Sequence, residues 1–178
     1  MARLMTTGLA LLTVARFAPA SAIRQSTACT LLQVAEIESA IGGKASKQPS
    51  GEKASAPGLE LDTCSVEIPS PTRSAVHVVV ISIVAGLPMD GGEAIRVRNG
   101  GTVREEQWKM PGARLAQETV GKTVCILSGR PGVAGHTVCS IPRGKGYVEV
   151  DVRGSVQELA SIETVRGLVQ KAVTRLSP

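Results

Sequence analysis

Few side chains in this chain are equipped for chemistry, and they are the four cysteines Cys29, Cys64, Cys125 and Cys139 and the two histidines His77 and His136. A thiolate acts as a nucleophile or a metal ligand, and an imidazole acts as a base or a ligand near neutral pH. His136-x-x-Cys139 taken with Cys125 has the composition of three ligands of a metal site. The same thiols have a competing use as disulfides. Their number is even, and no pair has the Cys-x-x-Cys spacing of a redox centre. In an exported chain that favours structural bridges. Pairing sequence neighbours, Cys29 with Cys64 and Cys125 with Cys139, closes two separate loops and is the expected connectivity. On this reading the chain holds no metal and no cofactor, and His136 is a surface side chain at a hairpin.

The remaining candidates are weaker. Ser128 and Ser140 lack a Ser-His-Asp setting, and no Gly-x-Ser-x-Gly elbow is present, so no catalytic residue is assigned. His77 falls in an apolar strand and is expected as a satisfied core or edge histidine. Arg143-Gly-Lys145-Gly places two cations and flexible backbone N–H groups on one turn, which makes Arg143 and Lys145 the candidate anion-binding pair. Against that, no helix begins after the turn, and cations commonly keep a tight turn solvated.

These residues need elements to hold them. Residues 74–85 are β-branched almost throughout, with Val76, Val78, Val80, Ser82 and Val84 on one face and His77, Val79, Ile81 and Ile83 on the other. That predicts a strand buried on both faces in the middle of a sheet. Cys64, Val66 and Ile68 alternate with Thr63, Ser65 and Glu67, giving an antiparallel neighbour that ends at Pro69-Ser70-Pro71. Three more strands, 123–127, 137–141 and 147–152, form a meander in which Cys125 faces Cys139. In the last of them Val148, Val150 and Val152 face one way and Tyr147, Glu149 and Asp151 the other.

Helical spacing appears twice with clarity. Val34, Ile37, Ala40 and Ile41 form a short amphipathic helix with Gln33 and Glu36 placed as a capping pair and Gly42 as its stop. Ile162, Val165, Leu168, Val169, Ala172, Val173 and Leu176 form a stripe on a C-terminal helix that is expected to close one face of the sheet. Asp90-Gly-Gly-Glu93 is spaced like a capping box and starts a glycine-weakened helix, broken at Asn99-Gly100-Gly101. Residues 44–58 are polar and aperiodic and predict a flexible loop. Residues 102–119 show no regular pattern apart from a turn at Pro111-Gly112. The architecture expected is α+β, an antiparallel sheet of five to six strands flanked by an N-terminal helix and a C-terminal helix.

Arg3, the apolar run 9–14 and Ala20-Ser21-Ala22 have the form of a signal peptide spanning residues 1–22, which leaves a single exported domain over 23–178. Ser26-Thr27-Ala28-Cys29 ends like a lipobox, but Ser26 stands where Leu or Val is needed, so lipid anchoring at Cys29 is not expected. Without Arg3 and Arg16 the chain keeps 18 basic and 15 acidic side chains, a net of about +3. That charge is too mild for nucleic-acid binding. The only aromatic residues are Phe17, Trp108 and Tyr147, too few for a base-stacking platform, so nucleic acid is set aside as a partner. Residues 74–85 are too short to span a membrane, and no span is expected after leader removal.

The opening Cys29-Thr-Leu-Leu-Gln-Val-Ala-Glu-Ile, with Gly42 ending its helix and Cys64 beginning a strand, resembles a group of small bacterial exported domains of unknown function. The Pro111-Gly112 turn, the strand over 147–152 and a final apolar helix ending at Arg175-Leu176 follow in the order those domains show. The resemblance is at the level of pattern and covers most of 23–178. It implies a sheet with helices on both sides, similar to the PsbP-like fold, and a lipoprotein or cell-envelope setting. It implies no functional residues.

Two functions of different class fit these observations. One is a non-catalytic cell-envelope domain with a protein or envelope-component partner, bound through a sheet edge or loops. The other is a small-molecule or anion-binding domain, or an enzyme, with a pocket between the sheet and residues 102–119. The shortage of histidines, aromatic residues and paired acids favours the first. The leader is directly testable: protein recovered from the periplasm or medium is expected to begin near Ile23, as read by intact mass. An unprocessed Met1 on a cytoplasmic protein would contradict it.

Overall fold

A computed structural model of the chain describes residues 26–70, 76–103 and 111–176. The expected leader and Trp108 lie outside the described residues. The elements are helices α1 (Ala28–Leu31) and α2 (Val34–Ile41), strands β1 (Ser50–Ala56), β2 (Leu59–Pro69) and β3 (Val76–Ala85), helix α3 (Gly91–Val103), strands β4 (Arg114–Val120), β5 (Thr123–Gly129), β6 (Gly135–Pro142) and β7 (Tyr147–Gly154), and helix α4 (Ile162–Arg175). The strands form one sheet in the order β1-β2-β3-β7-β6-β5-β4, antiparallel at every junction.

The α+β class and the antiparallel sheet are as expected, but the sheet has seven strands rather than five to six. The two extra strands are its edges. β1 lies inside the stretch expected to be a loop. All its side chains are exposed, so it buries no apolar face and carries no alternation in sequence. Backbone pairing with β2, across a turn whose Gly58 sits at φ 76°, makes it a strand. Lys53 lies opposite Asp62 and pairs with it at 3.2 Å. β4, likewise exposed along nearly all its length, forms the other edge. Charged side chains on such edges discourage pairing with other chains.

The core lies on one face of the sheet, called inner below. Cys64, Val66 and Ile68 of β2, Val79 and Ile81 of β3, Val148, Val150 and Val152 of β7, Cys139 of β6, and Cys125 and Leu127 of β5 build it. Ile162, Val165, Leu168, Val169 and Ala172 of α4 cover it, beside Leu31, Leu32 and Ile37 from the N-terminal helices. The N- and C-terminal helices therefore do not flank the sheet; they share its inner face and contact each other. Arg175 of α4 forks onto Glu36 of α2 at 2.6 and 2.8 Å and donates to the Leu31 carbonyl. Those Arg175 hydrogen bonds, with one from the Gln33 backbone, lower the Glu36 carboxyl to about 2. The Gln33–Glu36 pairing expected for the start of α2 is present as the bond from Gln33 N–H to Glu36, 2.9 Å.

β3 is not sealed on both faces. His77, Val79 and Ile81 are buried on the inner side, whereas Val78, Val80 and Val84 on the outer side are half-exposed and Val76 is 45% exposed. The cause is the position of α3, which packs over β6 and β7 and leaves the outer side of β3 largely uncovered.

Both expected disulfides are formed. Cys29 of α1 bridges Cys64 of β2 with Cα atoms 4.9 Å apart, and Cys125 bridges the directly opposed Cys139 across β5 and β6 at 4.1 Å. The first ties α1 to the middle of β2, and the second locks one rung between β5 and β6. From the sequence separations of 35 and 14 residues, loop-closure entropy assigns them about 4 and about 3 kcal/mol. Replacing both members of the Cys29–Cys64 pair by serine is therefore expected to lower Tm by roughly 10 °C, and replacing the other pair somewhat less, in calorimetric scans. Unchanged melting would show that neither loop is stapled in the native chain.

Candidate functional site

The outer face carries the densest group of polar side chains, and α3 is the element that assembles it. α3 has no apolar stripe and is anchored mainly at its start. Leu87 N–H donates to the Lys145 carbonyl and Gly91 N–H to the Gly144 carbonyl, each at 2.9 Å, so the connection from β3 is bonded backbone-to-backbone onto the β6–β7 turn. A Cβ at Gly91 would lie 1.8 Å from the Gly146 carbonyl oxygen, so only glycine permits that approach. Asp90 then caps the helix by accepting from Gly92 N–H at 2.8 Å. Ile95 and Asn99, one turn apart, are buried against the sheet. Held in this way, α3 continues through Asn99-Gly100-Gly101, where the sequence predicts a break, and ends at Val103.

Strand β7 supplies the facing residues. Its outward positions Tyr147, Glu149, Asp151 and Arg153 alternate with the core valines. Across the β6 ladder, Ser140 lies opposite Glu149 and His136 opposite Arg153. Arg98 of α3 reaches down onto Glu149, donates to Ser140 Oγ at 2.9 Å, and stands 5.4 Å from the centre of the Tyr147 ring. Ser140 also donates to Glu149 at 2.8 Å. Burial, with Glu149 nearby, raises the Tyr147 phenol above its ordinary value and keeps it neutral.

The second half of the cluster centres on Asp151, which is 5% exposed. Arg153 Nε donates to its Oδ2 at 2.7 Å, and His136 Nδ1 lies 3.4 Å from its Oδ1. Burial alone would raise this carboxyl. The contacts with His136 and Arg153 outweigh burial and hold it below the ordinary value of 3.8. Asn99, 3% exposed, accepts from Arg98 Nε at 3.1 Å, while its buried Nδ2 has no hydrogen-bond partner. Between these groups lies a cleft of about 250 Å³ whose floor includes Ile126 and Val138.

Chemically the cluster is a balanced array. Two guanidiniums face two carboxylates, and their orientations are set by one another. A general acid needs a carboxyl raised toward neutrality, and Asp151 is displaced the opposite way. The arrangement suits recognition by hydrogen bonding at fixed positions.

The residues singled out in sequence fall elsewhere. Strand alternation puts Cys125 and Cys139 on the inner face, joined to each other, and His136 on the outer one, so the three cannot converge on a metal. Among the described residues no group of three His, Cys, Asp or Glu side chains is placed to hold a metal ion. The turn bearing Arg143 and Lys145 uses the carbonyls of residues 144 and 145 to dock the β3–α3 connection, and Arg143 reaches the Leu176 carbonyl at 3.4 Å, at the C-terminal end of α4. His77 is buried on the inner side as expected, but it is not satisfied: its Nδ1 has no hydrogen-bond partner. Of residues 102–119, those over 114–119 belong to the edge strand β4 and lie within the sheet rather than over it; 104–110 lie outside the described residues. Sequence reasoning missed Arg98, Asn99, Ser140, Asp151 and Arg153 as one group. The signal available was the polar face of β7 in the middle of a sheet.

No protein-family model matches the chain, and no curated protein matches it. The site is therefore argued from its own chemistry.

Asp151→Asn tests the electrostatics. Removing the charge from a buried carboxylate that faces Arg153 and His136 is expected to cost about 1–3 kcal/mol near neutral pH. Because the folded-state value is lowered, this contribution is complete above the ordinary 3.8 and disappears as pH falls through the folded value. The stability gap between wild type and variant, followed by urea denaturation, should therefore be flat near neutrality and close in strong acid.

Proposed function

We propose that this chain is a non-catalytic exported domain of the cell envelope that binds a protein or another envelope component through the outer face of its sheet. The observation that carries the reading is the cluster beneath α3. Its charged side chains are paired with one another and Asp151 is held as a carboxylate, on a sheet stapled by two disulfides. Such a surface offers fixed donors and acceptors, and its buried carboxyl is not raised toward the neutrality a general acid needs. Two disulfides accord with an oxidising compartment, and none of the described helices is long and apolar enough to cross a membrane. The pattern-level resemblance to small exported envelope domains with a PsbP-like sheet points the same way and belongs to this proposal.

Site-specific photo-crosslinking in intact cells tests it. A crosslinker at Val97, 65% exposed on α3, is expected to capture one discrete partner, and one at the exposed Glu163 of α4 is expected to capture none. Arg98→Ala should reduce the Val97 adduct by about tenfold or more, the usual scale for losing a charged anchor. Equal adducts from both positions, or an adduct indifferent to Arg98, would reject the outer face as the binding surface.

A further inference from the structure

A second cleft, of about 530 Å³, opens at the end of the outer face remote from the β6–β7 turn. Its walls are the start of β3, the β5–β6 loop, and the connection from β7 to α4. The volume is that of a small-molecule site. Val76, Val78, Val133 and Val156 make it predominantly apolar. Val156 is 5% exposed in the wall, while Val76 and Val133, 45% and 49% exposed, stand in water at the lip. Two exposed β-branched side chains on opposite sides of one apolar cleft form a surface that gains from being covered.

The polar groups of the cleft define what covers it. Arg153 is the single charged residue among those lining it, and no carboxylate lines it. Its Nε is committed to Asp151, but a guanidinium presents further N–H donors, and this side chain is 58% exposed. Ser155 and the exposed Gln157 also line the cleft, and the buried Ser155 Oγ has no hydrogen-bond partner. An apolar trough whose polar side chains are one cation, one hydroxyl and one amide, with no carboxylate, matches a molecule with an apolar chain and an anionic oxygen head. A wholly apolar ligand would leave Ser155 unmatched, and a short anion would leave the valines bare.

We propose that this cleft binds a single-chain anionic amphiphile, a fatty-acid-like carboxylate taken up as a free monomer, with its chain on Val76, Val78, Val133 and Val156 and its head on Arg153 and Ser155. The proposal stands on this cleft and shares only Arg153 with the cluster beneath α3.

Titration of the full exported domain with dodecanoate below its micelle concentration, followed by methyl NMR, tests it. The expected result is saturable binding with shifts at Val76, Val78, Val133 and Val156. Dodecanol should bind about tenfold more weakly, the worth of one charge-assisted contact, and acetate should not bind. Val133→Asp, at an exposed loop position, should abolish dodecanoate binding, and Arg153→Gln should reduce it to the level of dodecanol. Arg98→Ala, which alters the α3 cluster and no wall of this cleft, should leave it unchanged, so failure here is separable from failure of the envelope-partner reading. Absence of saturable binding, equal affinity for the alcohol, shifts confined to α4, or uptake only from anionic vesicles would each overturn the proposal. The ligand series on the wild-type protein decides the matter even where a variant melts early.

Discussion

The register between β6 and β7 is the constraint on which the rest of this structure depends. Cys139 lies opposite Val150 and Thr137 opposite Val152 on one side, while His136 meets Arg153 and Ser140 meets Glu149 on the other. A slip of one residue would turn Glu149, Asp151 and Arg153 into the core and put three valines in their place outside. The neighbouring β5–β6 register is fixed independently by the Cys125–Cys139 bridge, so the two ladders put the same β6 residues on the inner face. One pairing thus decides which residues are core and which can meet a ligand.

The two faces are stabilised by different physics. On the inner face, apolar burial dominates: α1, α2 and α4 cover a continuous layer of valine, isoleucine and leucine, reinforced by two disulfides. On the outer face, α3 buries Ile95 and Asn99 against the sheet, is bonded backbone-to-backbone to the β6–β7 turn at its start, and is tied down at its middle by Arg98. α3 also roofs the polar cleft, which Arg98 and Asn99 line.

That division sets α3 on a sheet stapled by two disulfides. The stapled inner face holds the strands, and through them Glu149, Asp151, His136 and Arg153, at fixed spacing. Arg153 stands between the cluster beneath α3 and the apolar cleft and lines both. Its guanidinium also helps to hold Asp151 in the polar cluster. The two clefts share that one side chain.

The sequence by itself determined the cysteine pairing, the strands that carry the core, the capped amphipathic helix α2 and the apolar stripe of α4. Each of these buries one face, and burial of one face imprints a period of two or of 3.6 on the residues. Only the tertiary structure decided the rest. β1 and β4 bury almost nothing, so no period marks them, and they are strands because a neighbour supplies hydrogen-bond partners. α3 passes through Asn99-Gly100-Gly101 because Asn99 is buried against the sheet and the start of the helix is bonded to a distant turn, neither of which is local information. The polar cluster draws Arg98 from α3, Ser140 and His136 from β6, and Glu149, Asp151 and Arg153 from β7. Alternation in β7 shows that its polar residues share a face, but what they face is set by the register of β6 and the docking of α3, and those exist only once the chain has folded.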